Sequence, residues 1–440
     1  MKVVSTGEKI KKLRLDIGLN QEDLTNDEIT RSLISMIENN KRSLTYKTAT
    51  VIANTLNHYY QNLGKKITPD FLLETEIQQA ERLIKERLEE MQKLLDNPIA
   101  GSEVAVEQGF NRMIRFAKEW KLNSMIAKLL ETRGRFYAGT YQYNKALEDY
   151  FLAHELYLKE GLYERVLSLY TTIGSSHYYL SLYEQALLYY IQAENIIQNH
   201  FHDFTELETK KGLVSYNKML CYRKLNDFKS VLNELNKFRE LNIKDEHLKM
   251  QVLIVEGNTY RDLSSYDKAE KIYNRVLKKS DATPDTMLLV YENYAELYYI
   301  KKEYEKSLEY IQKAFSYTFT SPPNYSIRLA FHMAKTHFAL ENIEDSIKQI
   351  NQALILSSKI SDSSSNIELS IFLAKIYFST KQYDLAEKIL IEKEMMLKKE
   401  LKKESLANLY VNLLLIYTET NDIIKCREVT SKLSMIYNNS

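Results

Sequence analysis

Glycine, proline and cysteine are scarce in this chain, at 11, 5 and 2 of 440 residues. So few glycines leave little room for phosphate-cradling loops, and neither a GxSxG nor an HExxH motif occurs. Cys221 and Cys426 lie far apart inside helical patterns, which argues against a disulfide framework and fits a reducing cytosol. Long apolar runs are missing too. The richest, Leu409 to Tyr417, is interrupted by Asn412, and the opening MKVVSTGEKIKK lacks the apolar core of a signal peptide. His332 and His337 are five apart and diverge on a helix. His200 and His202 flank Phe201, but two ligands do not make a metal site. The expectation is a cytoplasmic, membrane-free, non-enzymatic protein with no cofactor and no metal.

What is present is helix, with 27% charged residues, 33 tyrosines and a spacing that returns. Taking Ala146 as anchor, equivalent positions fall at Ala186, Val231, Ala269, Ser307, Ser346, Ala386 and Cys426, spaced by 40, 45, 38, 38, 39, 40 and 40 residues. Twelve residues before the anchor stands a small residue in six of the eight units: Gly134, Gly174, Gly257, Ala295, Ala334 and Ala374. Met219 and Leu414 are the exceptions. Three residues further on a ring recurs, at Tyr137, His177, Tyr222, Tyr260, Tyr298, His337, Tyr377 and Tyr417. A small residue lets a partner backbone approach while rings fill the gaps beside it, so these aromatics read as core. The pattern resembles the tetratricopeptide repeat, two antiparallel helices per unit, with a period longer than the usual ~34 residues. The fold class expected is all-α: an N-terminal lambda-repressor-like helix-turn-helix, then a right-handed superhelical solenoid of about eight tetratricopeptide-like helix pairs.

The N-terminal expectation rests on residues 6–57, where Ile10, Leu13, Leu24, Ile29, Ile34, Ile37, Val51, Ile52 and Leu56 mark short helices around a small core. Gly18 and Asn20 end the first helix, Gln21 begins the second, and Thr30 caps the third. The run Asn20-Gln21-Glu22, Leu24, Thr30-Arg31-Ser32, Ile34-Ser35, Ile37-Glu38-Asn39, Lys41-Arg42 resembles the XRE type of helix-turn-helix, with one residue fewer between Leu24 and Ile29. That resemblance implies double-stranded operator DNA as partner. Thr30, Arg31, Ser32 and Ser35 would face base edges in the major groove, with Arg31 as the guanine reader. Gln21, Asn39, Lys41 and Arg42 would sit at phosphates, while Glu38 stays inside the domain as an ion-pair partner. Residues 1–66 carry 11 basic and 7 acidic residues, net +4, against −3 for the remainder, a bias that suits nucleic acid.

Three domains are expected: 1–66 for DNA, 67–121 as linker and leading helices, and 122–440 for the repeats. A short linker spans Gly64–Pro69. One helix over 70–95, with Leu73, Ile77, Ala80, Ile84, Leu88, Met91 and Leu95 as a seam, either packs on the first repeat or contributes to a dimer, and Asn97-Pro98 ends it.

First helices of such repeats line a concave surface. In this register that surface includes Arg135, Tyr178, Arg223, Asn258, Arg261, Glu292, Arg328 and Lys335, flanked by Asn217 and Asn293. Bases exceed acids there, and each asparagine amide can both donate to and accept from a peptide backbone. An XRE-type domain joined to a long array of such repeats resembles the RRNPP family of peptide-sensing regulators and the related phage receptors. The resemblance implies quorum-sensing control of transcription by a homodimer that binds a short signalling peptide, with Asn217, Asn258 and Asn293 holding the peptide backbone. The alternatives are a phosphorelay phosphatase or sequestering protein of the Rap type, and a repeat-based interaction adaptor.

Overall fold

Helix α1 (Thr6–Asp16) begins where Ser5 and Glu8 cap each other: Ser5 Oγ accepts from Glu8 N at 3.2 Å, and Ser5 N donates to Glu8 Oε2 at 3.0 Å. A single 3-10 turn, Gln21–Leu24, follows instead of the full second helix that the motif led us to expect. Thr25 stops it by leaving helical conformation while its hydroxyl returns to Glu22 O at 2.6 Å, and Asn26 Oδ1 then takes the amides of Glu28 and Ile29. Thr30 caps α2 (Arg31–Glu38) by accepting from Leu33 N, and α3 (Tyr46–Tyr60) completes the set. The end of α2 is tied to the start of α1 by Asn40, which accepts from Gly7 N at 3.1 Å and donates to Ser5 Oγ at 2.7 Å. A Cβ on Gly7 would collide with the carbonyl of Ile37, so only glycine allows this approach.

The core beneath contains Ile10, Leu24, Ile29, Ile34, Ile37, Ile52 and Leu56, with Leu13 and Val51 packed at its edge. It also takes in Ile67, from within the expected linker, and Leu72 beyond it. Asn57 pairs with both the N–H and the C=O of Ile67, at 2.6 and 2.7 Å, which pins that segment.

The single helix expected over 70–95 is two. Helix α4 (Pro69–Leu73) packs on the N-terminal core, and α5 (Glu76–Asp96) restarts after Thr75, which exchanges capping bonds with Gln78. Ile77 is therefore off the seam and exposed, while Ala80, Ile84, Leu88 and Met91 bury against α6 (Glu103–Glu119) and α7 (Asn123–Gly139). Glu74, at the break, is a node. It accepts from Lys9 Nζ at 3.2 Å and from Arg82 Nε and Nη2 at 2.8 and 3.1 Å, while Lys9 also reaches Phe71 O at 2.8 Å. Both cations lie over the Phe71 ring, and Val4 N donates to Gln79 Oε1 at 2.6 Å. Helix α5 is thereby fastened to α1.

From α7 on, helices come in pairs: α7 with α8 (Tyr143–Lys159), α9 (Tyr163–Tyr179) with α10 (Tyr183–His200), α11 (Phe204–Lys224) with α12 (Phe228–Glu240), and α13 (Glu246–Asp262) with α14 (Tyr266–Leu277). Then α15 (Pro284–Ile300) pairs with α16 (Tyr304–Phe315), α17 (Pro323–Ala339) with α18 (Ile343–Lys359), α19 (Ser363–Ser379) with α20 (Tyr383–Lys399), and α21 (Lys403–Glu419) with α22 (Ile423–Asn438). Every turn within a pair places a non-glycine residue in the left-handed region: Tyr141, Ser181, Asn226, Ser264, Lys302, Glu341, Lys381 and Asn421, at φ of 55° to 62°. The N–H after each closes on the carbonyl five residues back, at 2.7 to 2.9 Å. That carbonyl belongs in all eight pairs to the recurring ring position, from Tyr137 to Tyr417.

The small residues do what their spacing implies. Ideal Cβ atoms on Gly134 and Gly174 would stand 2.5 and 2.7 Å from Cε1 of Tyr150 and Tyr190, and one on Gly257 would run into Tyr273. Each tyrosine lies sixteen residues after its glycine. Where the small residue is Ala295, Ala334 or Ala374, the same place holds Ile311, Ile350 or Leu390, so methyl for hydrogen is answered by aliphatic for ring.

The computed structural model describes residues 2–60, 66–96, 103–201, 204–279, 282–360, 362–399 and 403–438, and the chain divides into two units, Met1–Ile196 and Ile197–Ser440. The Gly64–Pro69 linker, the Asn97-Pro98 stop and His202 fall wholly or partly outside the described residues. Among those residues all regular structure is helical, and no helix is long and apolar enough to cross a membrane.

Candidate functional site

In the N-terminal domain, geometry divides the DNA candidates into two groups. Glu38, only 3% exposed, accepts from Arg14 Nε at 2.7 Å and Nη2 at 2.9 Å, and from Gln21 Nε2 at 2.7 Å. Burial pushes the Glu38 carboxyl up, but the bonds from Arg14 and Gln21 outweigh it and hold the group below its ordinary value. Gln21 thus has its amide turned inward to a carboxylate. Thr30 has its hydroxyl on the helix cap, and Asn39 donates to Ser35 O at 2.8 Å. Arg31 and Ser32 stand exposed at the open end of α2, with Ser35 half-buried behind them. Arg31 Nη1 donates to Glu22 Oε1 at 2.8 Å. Lys41 and Arg42 are exposed beyond the helix, without a carboxylate partner among the described residues.

Residues 7–73 match the family described as "Helix-turn-helix domain". The N-terminal segment is a helix-turn-helix domain. The match ends at Leu73, the last residue of α4, and α5 begins beyond it.

The peptide candidates fall in both units. In the first, Arg135 bonds Glu131, whose buried carboxylate also accepts from Tyr157 OH at 2.8 Å, and Tyr178 packs edge-on against Tyr179 and Tyr183. The second unit holds the rest, and there successive first helices are laced together. Arg223 Nε donates to Asp262 Oδ2 at 2.8 Å. Arg261, 8% exposed, donates to Asp262 Oδ1 from Nε and Nη2 at 3.1 and 3.0 Å, and to Asn293 Oδ1 from Nη1 at 3.3 Å. Asn293 donates in turn to Leu289 O at 2.7 Å, and Asn258 Oδ1 accepts from Tyr273 OH at 2.6 Å. Arg328 grips both oxygens of the buried Glu292. His332 Nε2 lies 3.3 Å from Glu296 Oε2, yet burial, with Lys335 adding to it, holds the imidazole below its ordinary value. Lys335 Nζ sits over the Phe331 ring at 5.0 Å. Asn217 is half-buried and makes no side-chain hydrogen bond with the described residues.

Of the three asparagines read as one clamp, two are therefore partly committed to neighbours. The sequence reading missed the cross-links, although a signal was there: complementary polar groups stand about one repeat apart, with Arg223 39 residues before Asp262 and Glu292 36 before Arg328. Two guanidiniums meet across one carboxylate at Asp262, and Arg223 Nη1 and Nη2 make no hydrogen bond with the described residues. The cluster can accept one more anionic group at those donors, and the amide hydrogens of Asn217 and Asn258 can meet carbonyl oxygens.

Among solved structures the chain is similar to the apo form of the quorum sensor NprR from B. thuringiensis, at 15% identity and a TM-score of 0.49, covering 81% of this chain and 99% of that one. A tetratricopeptide repeat protein from Parabacteroides merdae is similar at 18% identity and 0.48, over 64% and 97%. Bacillus thuringiensis PlcR in complex with the peptide PapR7 and DNA is similar at 14% identity and 0.36, over 83% and 98%. No curated protein matches the sequence.

Proposed function

We propose that the chain is a cytoplasmic transcription regulator that binds double-stranded operator DNA as a homodimer through its helix-turn-helix domain and takes up a short peptide on the first-helix face of its second unit. The DNA half is supported by the exposed start of α2, where Ser32 and the Nε and Nη2 edge of Arg31 face outward, and by Lys41 and Arg42 beside it, which have no carboxylate partner among the described residues. The peptide half is carried by one observation. Arg261 is nine-tenths buried while its hydrogen-bonded partner Asp262 is shared with Arg223, so two guanidiniums bond one carboxylate, and Glu296 acts on Arg261 only through space. A peptide carboxylate adds a second hydrogen-bonded anion at the outer donors of Arg223, and the amides of Asn217 and Asn258 pair with its backbone.

The test is affinity capture on the full chain with two pools of random heptapeptides, one with free carboxyl termini and one amidated. The free-acid pool should enrich on the wild-type protein and lose that enrichment on Arg223→Gln, a half-buried site whose change leaves Asp262 paired to Arg261. Retention of neither pool refutes the peptide reading. Light scattering on the DNA complex checks the homodimer, and a monomer at full affinity refutes it.

A further inference from the structure

Glu22 is an acidic side chain on the surface that the DNA reading turns toward phosphates, and its place there needs a reason. Its exposed pair with Arg31, with side chains 68% and 66% accessible, contributes little to stability because water and salt screen it. A carboxylate on that face also repels the backbone it would approach. Yet the turn that carries it is held firmly. Asn20 N donates to Asp23 Oδ2 at 2.6 Å, Asp23 N donates to Asn20 O at 3.2 Å, and the Glu22 carbonyl accepts from both Thr25 N and Thr25 Oγ1, at 3.0 and 2.6 Å. Gln21, next door, is turned inward to Glu38 and does not compete.

The cations of this face are sorted in the same way. Arg31 is paired with Glu22 and Lys47 with Glu28, at 2.8 and 2.9 Å, while Lys41 and Arg42 have no carboxylate among the described residues. Unpaired cations are free to follow phosphates. A paired arginine at the first position of α2 is restrained from doing so, and its bond to Glu22 uses Nη1, leaving the Nε and Nη2 edge to meet the O6 and N7 of a guanine side by side. When the groove closes over the pair and excludes water, the Glu22 bond strengthens and fixes the guanidinium plane.

We infer that Glu22 is a positioning residue for base recognition, which holds Arg31 away from the phosphates and presents its free edge to one base pair. This rests on the DNA-binding reading above. Its consequence is unusual in sign: removing Glu22 strengthens binding to DNA in general and weakens the choice between sequences.

The experiment begins with selection from a randomised duplex pool by the full-length wild-type chain. Anisotropy titrations follow, with the selected and a scrambled duplex over a sodium chloride series, for wild type, Glu22→Ala, Glu22→Gln, Arg31→Ala and the double variant of Glu22→Ala with Arg31→Ala. Glu22→Ala should bind the scrambled duplex severalfold more tightly, with a salt slope steeper by about 0.9 for each half-site as Arg31 joins the phosphate contacts. Its selected-to-scrambled ratio should fall roughly tenfold per half-site, the size of one lost bidentate base contact in each subunit. Glu22→Gln keeps an oxygen for Arg31 and should retain most of the ratio. Arg31→Ala should lose the same ratio, with no further loss when combined with Glu22→Ala. An unchanged ratio in Glu22→Ala, or equal weakening on both duplexes, overturns the inference while leaving DNA binding intact. A wild-type chain that selects no sequence overturns the DNA reading itself.

Discussion

Replacing Gly134 with alanine tests whether the repeat is built on matched sizes. The new Cβ would lie 2.5, 2.8 and 3.1 Å from Cε1, Cδ1 and Cζ of Tyr150, a fully buried ring that cannot swing into solvent. Overpacking of this kind costs about 1 to 3 kcal/mol. Alanine recovers up to ~1 kcal/mol of helix propensity over glycine, so the net loss should be about 1 kcal/mol. Tyr150→Leu alone removes ring volume beside an unchanged glycine and should cost about 2 to 4 kcal/mol by leaving a cavity. Made together, the two changes recreate the alanine and aliphatic pairing seen at Ala374 and Leu390, and the double variant should be more stable than the sum of the singles by roughly 1 to 2 kcal/mol. The protein reports on this region by itself: its one tryptophan, Trp120, packs against the cluster that contains Tyr150. Denaturant titrations followed by Trp120 fluorescence give the four midpoints and slopes. Additive effects, with a coupling under about 0.5 kcal/mol, would refute the size-matching account.

Three further outcomes follow from buried polar groups. Tyr150 OH has no hydrogen-bond partner among the described residues, whereas Tyr273 OH donates to Asn258, so Tyr150→Phe should leave stability level or higher and Tyr273→Phe should lower it by about 1 kcal/mol in thermal unfolding. Glu38→Ala strands Arg14 in the helix-turn-helix core and should cost about 3 to 5 kcal/mol, read as lost amide protection over residues 6–60 by hydrogen exchange. Because the folded Glu38 carboxyl titrates below its unfolded value, its contribution is complete above a pH of about 4.3 and is lost as pH falls further, so the wild-type domain should loosen in acid and the variant should show less of that dependence. Glu74→Ala should free α5 from α1, leaving Lys9 buried with carbonyls alone, and limited proteolysis should then cut between residues 73 and 76 faster than in wild type.

The helix pairs were legible because side-chain volume repeats with them: Gly134, Gly174 and Gly257 stand out in a chain with few glycines. The end of α4 is legible in principle, though not in the apolar spacing. Apolar spacing runs on smoothly from Leu73 to Ile77, since such spacing carries no mark of where one helix stops. The mark is Thr75 with Gln78, a helix-start pair three residues apart. The short second helix of the N-terminal domain depends on bonds of Thr25 and Asn26 to nearby backbone, which compete with helix in ways that composition does not rank. The register puts the proposed ligand residues on first helices, but their pairing with one another was not legible, because a side chain one repeat away counts as a neighbour only when the first helices lie side by side. Asn258 shows the difference. Read alone it is an amide ready for a peptide; in place, its oxygen already belongs to Tyr273.

The eight left-handed turn residues are Tyr, Ser, Asn, Ser, Lys, Glu, Lys and Asn, which share no chemistry. What each supplies is a backbone conformation, at a local penalty of roughly 1 kcal/mol or less for asparagine and 1 to 2 for the others. The turn is held by the carbonyl of the ring position behind it, so almost any residue can drift into the site without loss of the hairpin. A repeat organised in this way erases its own signature: the position most needed for reversing the chain is the one that leaves least trace in the letters. It also leaves exposed places, Lys302, Glu341 and Lys381 among them, where glycine would relieve backbone strain, whereas at Tyr141 it would also remove a ring that packs edge-on against Tyr143.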